Sequence, residues 1–210
     1  MSHTAYDSES QMSLLEEEVS DAQLIEHLRA NDLDALGALF DRYYAQVYRT
    51  AAAITRDNAV AEDIAQDCFL KLHQYANRID VSLPLAPWLY RVTVNLSYTW
   101  ISRRQKRRIS LEALVDHLMS PAGHAPDQLA ENSEVQHQVR LAISELPFNQ
   151  RVVIVLHYLS ALSLEEISEI LDCPVGTVKS RLYYARENLR RRLDDSHRIS
   201  EVAHGYAGIT

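Results

Sequence analysis

Apolar positions along this chain recur by threes and fours, the spacing that lines one face of an α-helix. Leu24, Ile25 and Leu28 open the pattern just after Asp21. A capping site at Asn31-Asp32 then starts a helix whose nine apolar positions, from Leu36 through Leu39, Tyr43 and Val47 to Ile54, form the wide stripe of a buried helix. Arg56-Asp57-Asn58 ends it. A third helix is expected over residues 59–75, with Ala61, Ile64, Ala65, Cys68, Leu72 and Tyr75 inward. Residues 77–87 hold two prolines and no period, so they read as a loop. A long helix then starts at Pro87, with Leu89, Val92, Leu96 and Trp100 as its core stripe.

The pattern lapses over residues 110–132, which are rich in Ala, Pro, Asp and His. This segment reads as a flexible linker between two domains. Periodicity returns with Val135, Val139, Ala142 and Ile143, breaks at Leu146-Pro147 and resumes in FNQRVVIVLHYL. The fold class expected is all-α: two small helical domains, residues 21–109 and 133–194, joined by that linker. Residues 1–20 read as an acidic mobile tail and 195–210 as a second tail.

Residues 163–193 carry the most specific pattern. Ser163 is followed three residues later by Glu166, a capping box that opens a helix with Leu164, Ile167, Ile170 and Leu171 on one face. Asp172-Cys173-Pro174 interrupts it, and Pro174 suits the start of a second helix because it has no N–H to leave unpaired. There Val175, Val178, Leu182, Ala185, Leu189 and Leu193 form a buried stripe. Ser180, Tyr183, Tyr184 and Arg191 project oppositely, flanked by Lys179, Arg186 and Arg190. Two short helices, a tight turn and a basic second helix make a helix-turn-helix, whose second helix can enter the major groove of DNA. The plainer reading is a helical hairpin with a solvated basic face.

Charge at first argues against nucleic acid, since the 210-residue chain carries a formal −8. Residues 1–35 hold nine acids and one base and so account for all of it. The remainder is balanced and patterned: Arg103, Arg104, Lys106, Arg107 and Arg108 form one basic cluster, and Lys179, Arg181, Arg186 and Arg190 to Arg192 another. Local patches set phosphate binding, because screening limits reach to about 8 Å at physiological salt. A hydrophobic content of 47% supports real cores. No run of about 18 apolar residues occurs, so no membrane span is expected. Cys68 and Cys173 are the only cysteines and the nine histidines are scattered. No metal or cofactor is expected, and a reduced cytoplasm is the default compartment.

Two further surfaces stand out. On the third helix Asp63, Gln66 and Asp67 face outward with Leu70 among them. An apolar residue inside an acidic face suits a docking surface, although single exposed leucines are common. On the fourth, Trp88, Arg91, Asn95, Tyr98 and Ser102 share a stripe that runs toward Arg103 and Arg104. Rings beside Arg and Asn can stack on and read unpaired bases. Equally, the rings can be core and the basic end a solvated helix C-terminus.

The order of these parts, AEDIAQDCFLKLHQY, then APWLYRVTVNLSYTW with a basic end, then a linker, then LSLEEISEILDCPVGTVKSRLYYAR, resembles an alternative sigma factor of bacterial RNA polymerase. The small two-domain type, the extracytoplasmic-function (ECF) group, is the best match, and the resemblance covers residues 24–193. It implies that Asp63, Gln66, Asp67 and Leu70 grip the clamp helices of the largest subunit of core RNA polymerase. It implies that Trp88, Arg91, Asn95, Tyr98, Arg103 and Arg104 act at the opened −10 promoter element. The helix after Pro174 would read the −35 element as duplex, through Lys179, Ser180, Arg181, Tyr183, Tyr184 and Arg186. Family members are commonly held by an anti-sigma factor. Tyr184 stands where many members carry a basic residue, and the acidic N-terminal extension is longer than usual.

No Gly-rich nucleotide loop, catalytic triad pattern or metal set is present, so the chain is expected not to be an enzyme. The main rival is a free-standing helix-turn-helix regulator, which would bind an operator, usually a palindrome, without polymerase. A weaker one is an all-helical enzyme or scaffold, which would show no DNA dependence.

Overall fold

Helix starts fall where a short polar side chain can take over a free amide. The computed structural model describes residues 19–112 and 134–207, and the side chains of 19–105 and 138–194. Eight α-helices occur among the described residues. Ser20 caps α1 (Asp21–Arg29) in a capping box with Gln23. Asp32 caps α2 (Leu33–Thr55), and its carboxylate accepts from the Asp34 amide at 3.0 Å. Arg56 closes α2 in the left-handed region (φ 63°), and Asp57 then caps α3 (Asn58–Tyr75). A single 3-10 turn (Ala76–Arg78) and a loop lead to α4 (Leu85–Glu112). The second group holds α5 (Glu134–Ser144), α6 (Phe148–Ile154) with a π turn at Val155–Leu159, α7 (Leu164–Leu171) and α8 (Val175–Ala207).

The first four helices close over Leu39, Val47, Ala65, Leu72, Leu85 and Leu89. Arg29 ties α1 to the turn after α3, donating from Nε to the Ala76 carbonyl at 3.0 Å. Asp21 receives Arg42 at 2.5 Å and the Tyr43 hydroxyl. Burial, then that carboxylate, raises the Tyr43 phenol well above its ordinary pKa. Cys68 is the small core residue its position suggests, and burial pushes its thiol up to about 11.

Several expectations need correction. Tyr75 is exposed rather than inward, with the Lys71 and Arg78 cations 5.9 and 5.6 Å from its ring centroid. The fourth helix starts at Leu85, two residues before Pro87; a first-turn proline is tolerated because its missing N–H needs no partner there. Pro174 precedes α8 as its cap residue, its carbonyl accepting from Thr177 and Val178. The expected tail from 195 is helical as far as Ala207. Residues 110–112 of the expected linker continue α4, while the rest of it and the acidic tail up to residue 18 lie outside the described residues.

The two helical groups do not stand apart. Ile54 of α2 and Tyr90 and Val94 of α4 join Leu146, Val152, Leu156, Ile167 and Ile170 in one buried cluster. For this reason Tyr90 and Val94 are covered, while Val92, Leu96 and Trp100 of the expected stripe are only half-buried. Polar links reinforce the contact. Arg56 donates to the Ser144 carbonyl at 2.7 Å, and the Thr50 and Ser160 hydroxyl oxygens are 3.4 Å apart. The buried Arg151 donates to the Ile54 carbonyl at 2.5 Å and to the Leu146 carbonyl at 2.8 Å.

Candidate nucleic-acid interface

The turn between α7 and α8 is built by local hydrogen bonds. Ser163 Oγ accepts from the Glu166 amide at 3.1 Å, and Glu166 Oε2 accepts from the Ser163 amide at 2.7 Å. That amide bond, then the Ser163 hydroxyl, holds the Glu166 carboxyl below the usual range. Asp172 ends α7 in the left-handed region (φ 48°), and Cys173 donates its amide back to Ser168 at 3.1 Å. Ser168 Oγ returns a bond to the Cys173 carbonyl at 2.6 Å. Ile167, Ile170, Val178, Leu182 and Ala185 fill the angle between the helices. The turn is therefore fixed on both sides, and the outer face of α8 is set by it.

That outer face is polar and aromatic. Lys179, Ser180, Tyr183 and Tyr184 are exposed, and the two rings meet edge-on at 5.5 Å. Arg186 is braced: its Nε donates to the Tyr158 hydroxyl at 2.8 Å and its guanidinium lies 5.6 Å from that ring centroid. Arg190 pairs with Glu187 at 3.1 Å, and Arg191 with Asn188 at 2.7 Å. Arg181 differs from its neighbours. It is half-buried, 3.7 Å from Cys173 Sγ, and lines the cleft between the two helical groups.

On α4 the sequence-named residues divide. Trp88 is half-buried against the first core. Arg91, Asn95 and Tyr98 are on the surface but turn toward the second group: Arg91 donates to the Glu169 carbonyl, and the Tyr98 ring lies 5.3 Å from Phe148. Arg103 and Arg104 are exposed, with Arg104 5.2 Å from the Trp100 ring centroid. On α3, Asp63, Gln66, Asp67 and Leu70 form one exposed face, Leu70 at 57% exposure, opposite the buried Ile64, Ala65, Cys68 and Leu72. No group of three His, Cys, Asp or Glu residues could hold a metal among the described residues. None of the helices there is long and apolar enough to cross a membrane.

The sequence reading missed Tyr158, Phe148 and Arg151. Arg151 alone left a signal, as a lone charge in the apolar run FNQRVVIVL. Charges are almost never fully buried unless partnered, so an arginine at a core position implies a specific acceptor.

Comparison with known proteins agrees with this arrangement. Residues 39–107 match the family model for sigma-70 region 2, and residues 136–189 match that for sigma-70 region 4. The ECF RNA polymerase sigma factor SigW of Bacillus subtilis is 34% identical over 179 residues, covering 81% of this chain and 95% of SigW. The ECF sigma-E factor of Escherichia coli K12 is 29% identical over 188 residues, covering 85% and 97%. Two solved structures share the fold. One is the sigma factor RpoE bound to the anti-sigma factor NepR from Bartonella quintana, with a TM-score of 0.59 and 23% identity over 74% of this chain and 94% of RpoE. The other is CnrH bound to the cytosolic domain of CnrY, with a TM-score of 0.61 and 21% identity over 83% and 97%.

Proposed function

Because the chain belongs to the ECF group of sigma-70 family RNA polymerase sigma factors, we propose that it docks on core RNA polymerase and directs initiation by reading a −35 duplex and an opened −10 element. Sigma factors are transcription initiation factors, and RNA synthesis belongs to the polymerase. The observation that carries the reading is the exposed polar and aromatic face on the first turns of α8, held by a rigid helix-turn-helix.

The work divides between two modules. The face formed by Asp63, Gln66, Asp67 and Leu70 docks on the clamp helices of the largest subunit. Lys179, Ser180, Tyr183 and Tyr184 meet base edges in the major groove, since the N-terminal part of a recognition helix reaches them. Trp88, Asn95 and their neighbours on α4 hold bases taken from the opened strand, where stacking contributes about 1–3 kcal/mol per base. An anti-sigma factor is the natural inhibitory partner, of the kind NepR is to RpoE in their complex. The deciding experiment is promoter-specific transcription by purified core polymerase with and without this protein. A free-standing regulator would bind its operator alone and add no promoter-specific transcript.

Asn95→Ala tests the −10 role more cleanly than Trp88→Ala, which would also disturb the first core. It should reduce permanganate reactivity of promoter thymines without weakening polymerase binding. Normal opening across a panel of promoter variants would count against the role. The −35 reading separates base contacts from phosphate contacts. Tyr184→Ala should change which upstream bases are preferred, redistributing mismatch penalties of about 1–3 kcal/mol. Arg190→Ala should weaken binding to all sequences alike and lower the salt slope by about one unit. Holoenzyme binding to randomised upstream elements at several salt concentrations measures both, and the reverse pattern would overturn the assignment.

A further inference from the structure

Arg186 is fixed from outside its own helix. Its Nε donates to the Tyr158 hydroxyl at 2.8 Å, with the guanidinium 5.6 Å from that ring centroid. Tyr158 belongs to the π turn Val155–Leu159, ahead of α7. Single π turns are rare and occur often at functional sites. This one presents Tyr158 at 60% exposure while Val155 and Leu156 stay buried. His157 meets the Tyr158 ring edge-on at 4.8 Å, and His157 Nδ1 lies 2.9 Å from the Leu162 carbonyl. The chain then passes through Ala161, which is left-handed without being glycine (φ 54°). Such a conformation persists only where the surroundings enforce it. Tyr158 is therefore placed by its own turn, independently of α8.

The chemistry left over at this pair suits an anion. Arg192 spends its charge on the Glu145 carboxylate, whereas a neutral phenol leaves the Arg186 charge whole. Among the described residues Arg186 has no other hydrogen-bond partner, so both Nη groups can serve an external acceptor. The Tyr158 oxygen accepts from Arg186, which leaves its own proton to donate. Donors from two elements thus stand side by side on the surface. Lys179, Tyr183 and Arg186 follow one another by four and three along one stripe of α8, so the pair lies beyond the residues that meet base edges. In a helix-turn-helix the N-terminal part of the second helix meets the bases, and the element before it crosses the backbone.

We propose that Tyr158 and Arg186 form a clamp for one backbone phosphate of the upstream duplex, with Tyr158 a contact residue in its own right. The identity of that duplex rests on the sigma-factor reading. A phosphate contact sets the register of the protein on DNA and carries no base information. Because Tyr158 already holds the guanidinium in place, less side-chain freedom is lost when the phosphate arrives. The clamp fixes where Tyr183 and Tyr184 meet the groove.

Tyr158→Phe keeps the ring and the cation contact and removes only the hydroxyl. On a promoter duplex selected from a randomised library, holoenzyme with Tyr158→Phe should bind about fivefold more weakly, and with Arg186→Ala about tenfold. The double variant should fall well short of the product of the two losses, because the pair acts as a unit. Arg186→Ala removes a cation and should lower the salt slope by about one unit, while Tyr158→Phe removes none and should leave it unchanged. Neutral methylphosphonates placed one at a time should reveal a single position at which wild type and both variants bind within about twofold of each other. Both side chains are exposed, so melting of the two variants should match wild type. A Tyr158→Phe protein that binds like wild type, losses that multiply, or a Tyr158→Phe loss that survives every methylphosphonate overturns the clamp. The same variants are also measured as free protein on duplex at low salt, where backbone contacts supply most of the affinity. There too Tyr158→Phe should bind more weakly, and equal binding, or no duplex binding in either arm, overturns the clamp. If the parent protein gives no promoter-specific transcript with core polymerase, the sigma-factor reading fails instead, and the free-protein arm still decides the clamp.

Discussion

Leu70→Asp combined with Asp67→Lys is expected to abolish co-purification with core RNA polymerase. Leu70 is 57% exposed beside acids, at the C-terminal end of a face formed by positions i, i+3, i+4 and i+7 of α3. An apolar anchor of this kind typically contributes about 2 kcal/mol or more to an interface, and reversing the neighbouring charge adds repulsion. A loss of about 2.8 kcal/mol is a hundredfold in affinity. The same substitutions touch none of the core behind them, where Ile64, Ala65 and Cys68 are buried. Exposed changes of this sort fall within about 0.5 kcal/mol of neutral, so melting should shift by no more than about 2 °C. Pull-down with purified core polymerase, read beside thermal denaturation, measures both. Binding at wild-type affinity would remove this face from the docking surface.

What the sequence disclosed about this fold follows from the range of the interactions involved. Caps are local, so the Asn31-Asp32 site and the Ser163–Glu166 box could be placed from neighbours within three residues, while Asp57, read only as a break, proves to cap α3. The exposed face of α3 and the buried stripe of α8 are also local, because a helix surrounded on one side obeys a single 3.6-residue period. The fourth helix is different. It packs against its own domain on one side and against α6 and α7 on another, so it has two covered faces and no single stripe describes it. Tyr90 and Val94 are buried by residues more than fifty positions later, and periodicity carries no information about such contacts. The same holds for Arg91 and Tyr98, whose chemistry suits unpaired bases but whose neighbours here are Glu169 and Phe148. Tyr75 was misplaced for a third reason. An aromatic ring at a core-phased position can instead lie on the surface where cations cover it.

Arg151→Leu should be the most destabilising of the substitutions considered. Arg151 is 6% exposed and its acceptors are carbonyls rather than a carboxylate: Leu146 in the bend before α6, and Ile54 in the last turn of α2. A helix leaves its last carbonyls without intrahelical partners and carries partial negative charge at that end, so a cation there is held by both effects. Burial, then the nearby Arg56 charge, lowers the Arg151 pKa to about 10. The sign of that shift means the fold disfavours the charged form. The cost is constant while the group stays protonated, so Arg151 adds no pH dependence between about pH 6 and 9. Leucine removes the cost but leaves two buried carbonyls unpaired, at about 1–3 kcal/mol each. The net loss should be about 2–4 kcal/mol, or about 5–15 °C in melting temperature for a chain of this size. One acceptor belongs to each helical group, so the wild-type protein should melt in one transition and the variant in two. Arg56→Ala, which loses one exposed bond to the Ser144 carbonyl, should cost less than about 1 kcal/mol. Circular dichroism at 222 nm with calorimetry on both variants checks this. An Arg151→Leu protein that melts like wild type in a single step would show that Arg151 neither caps α2 nor couples the two groups.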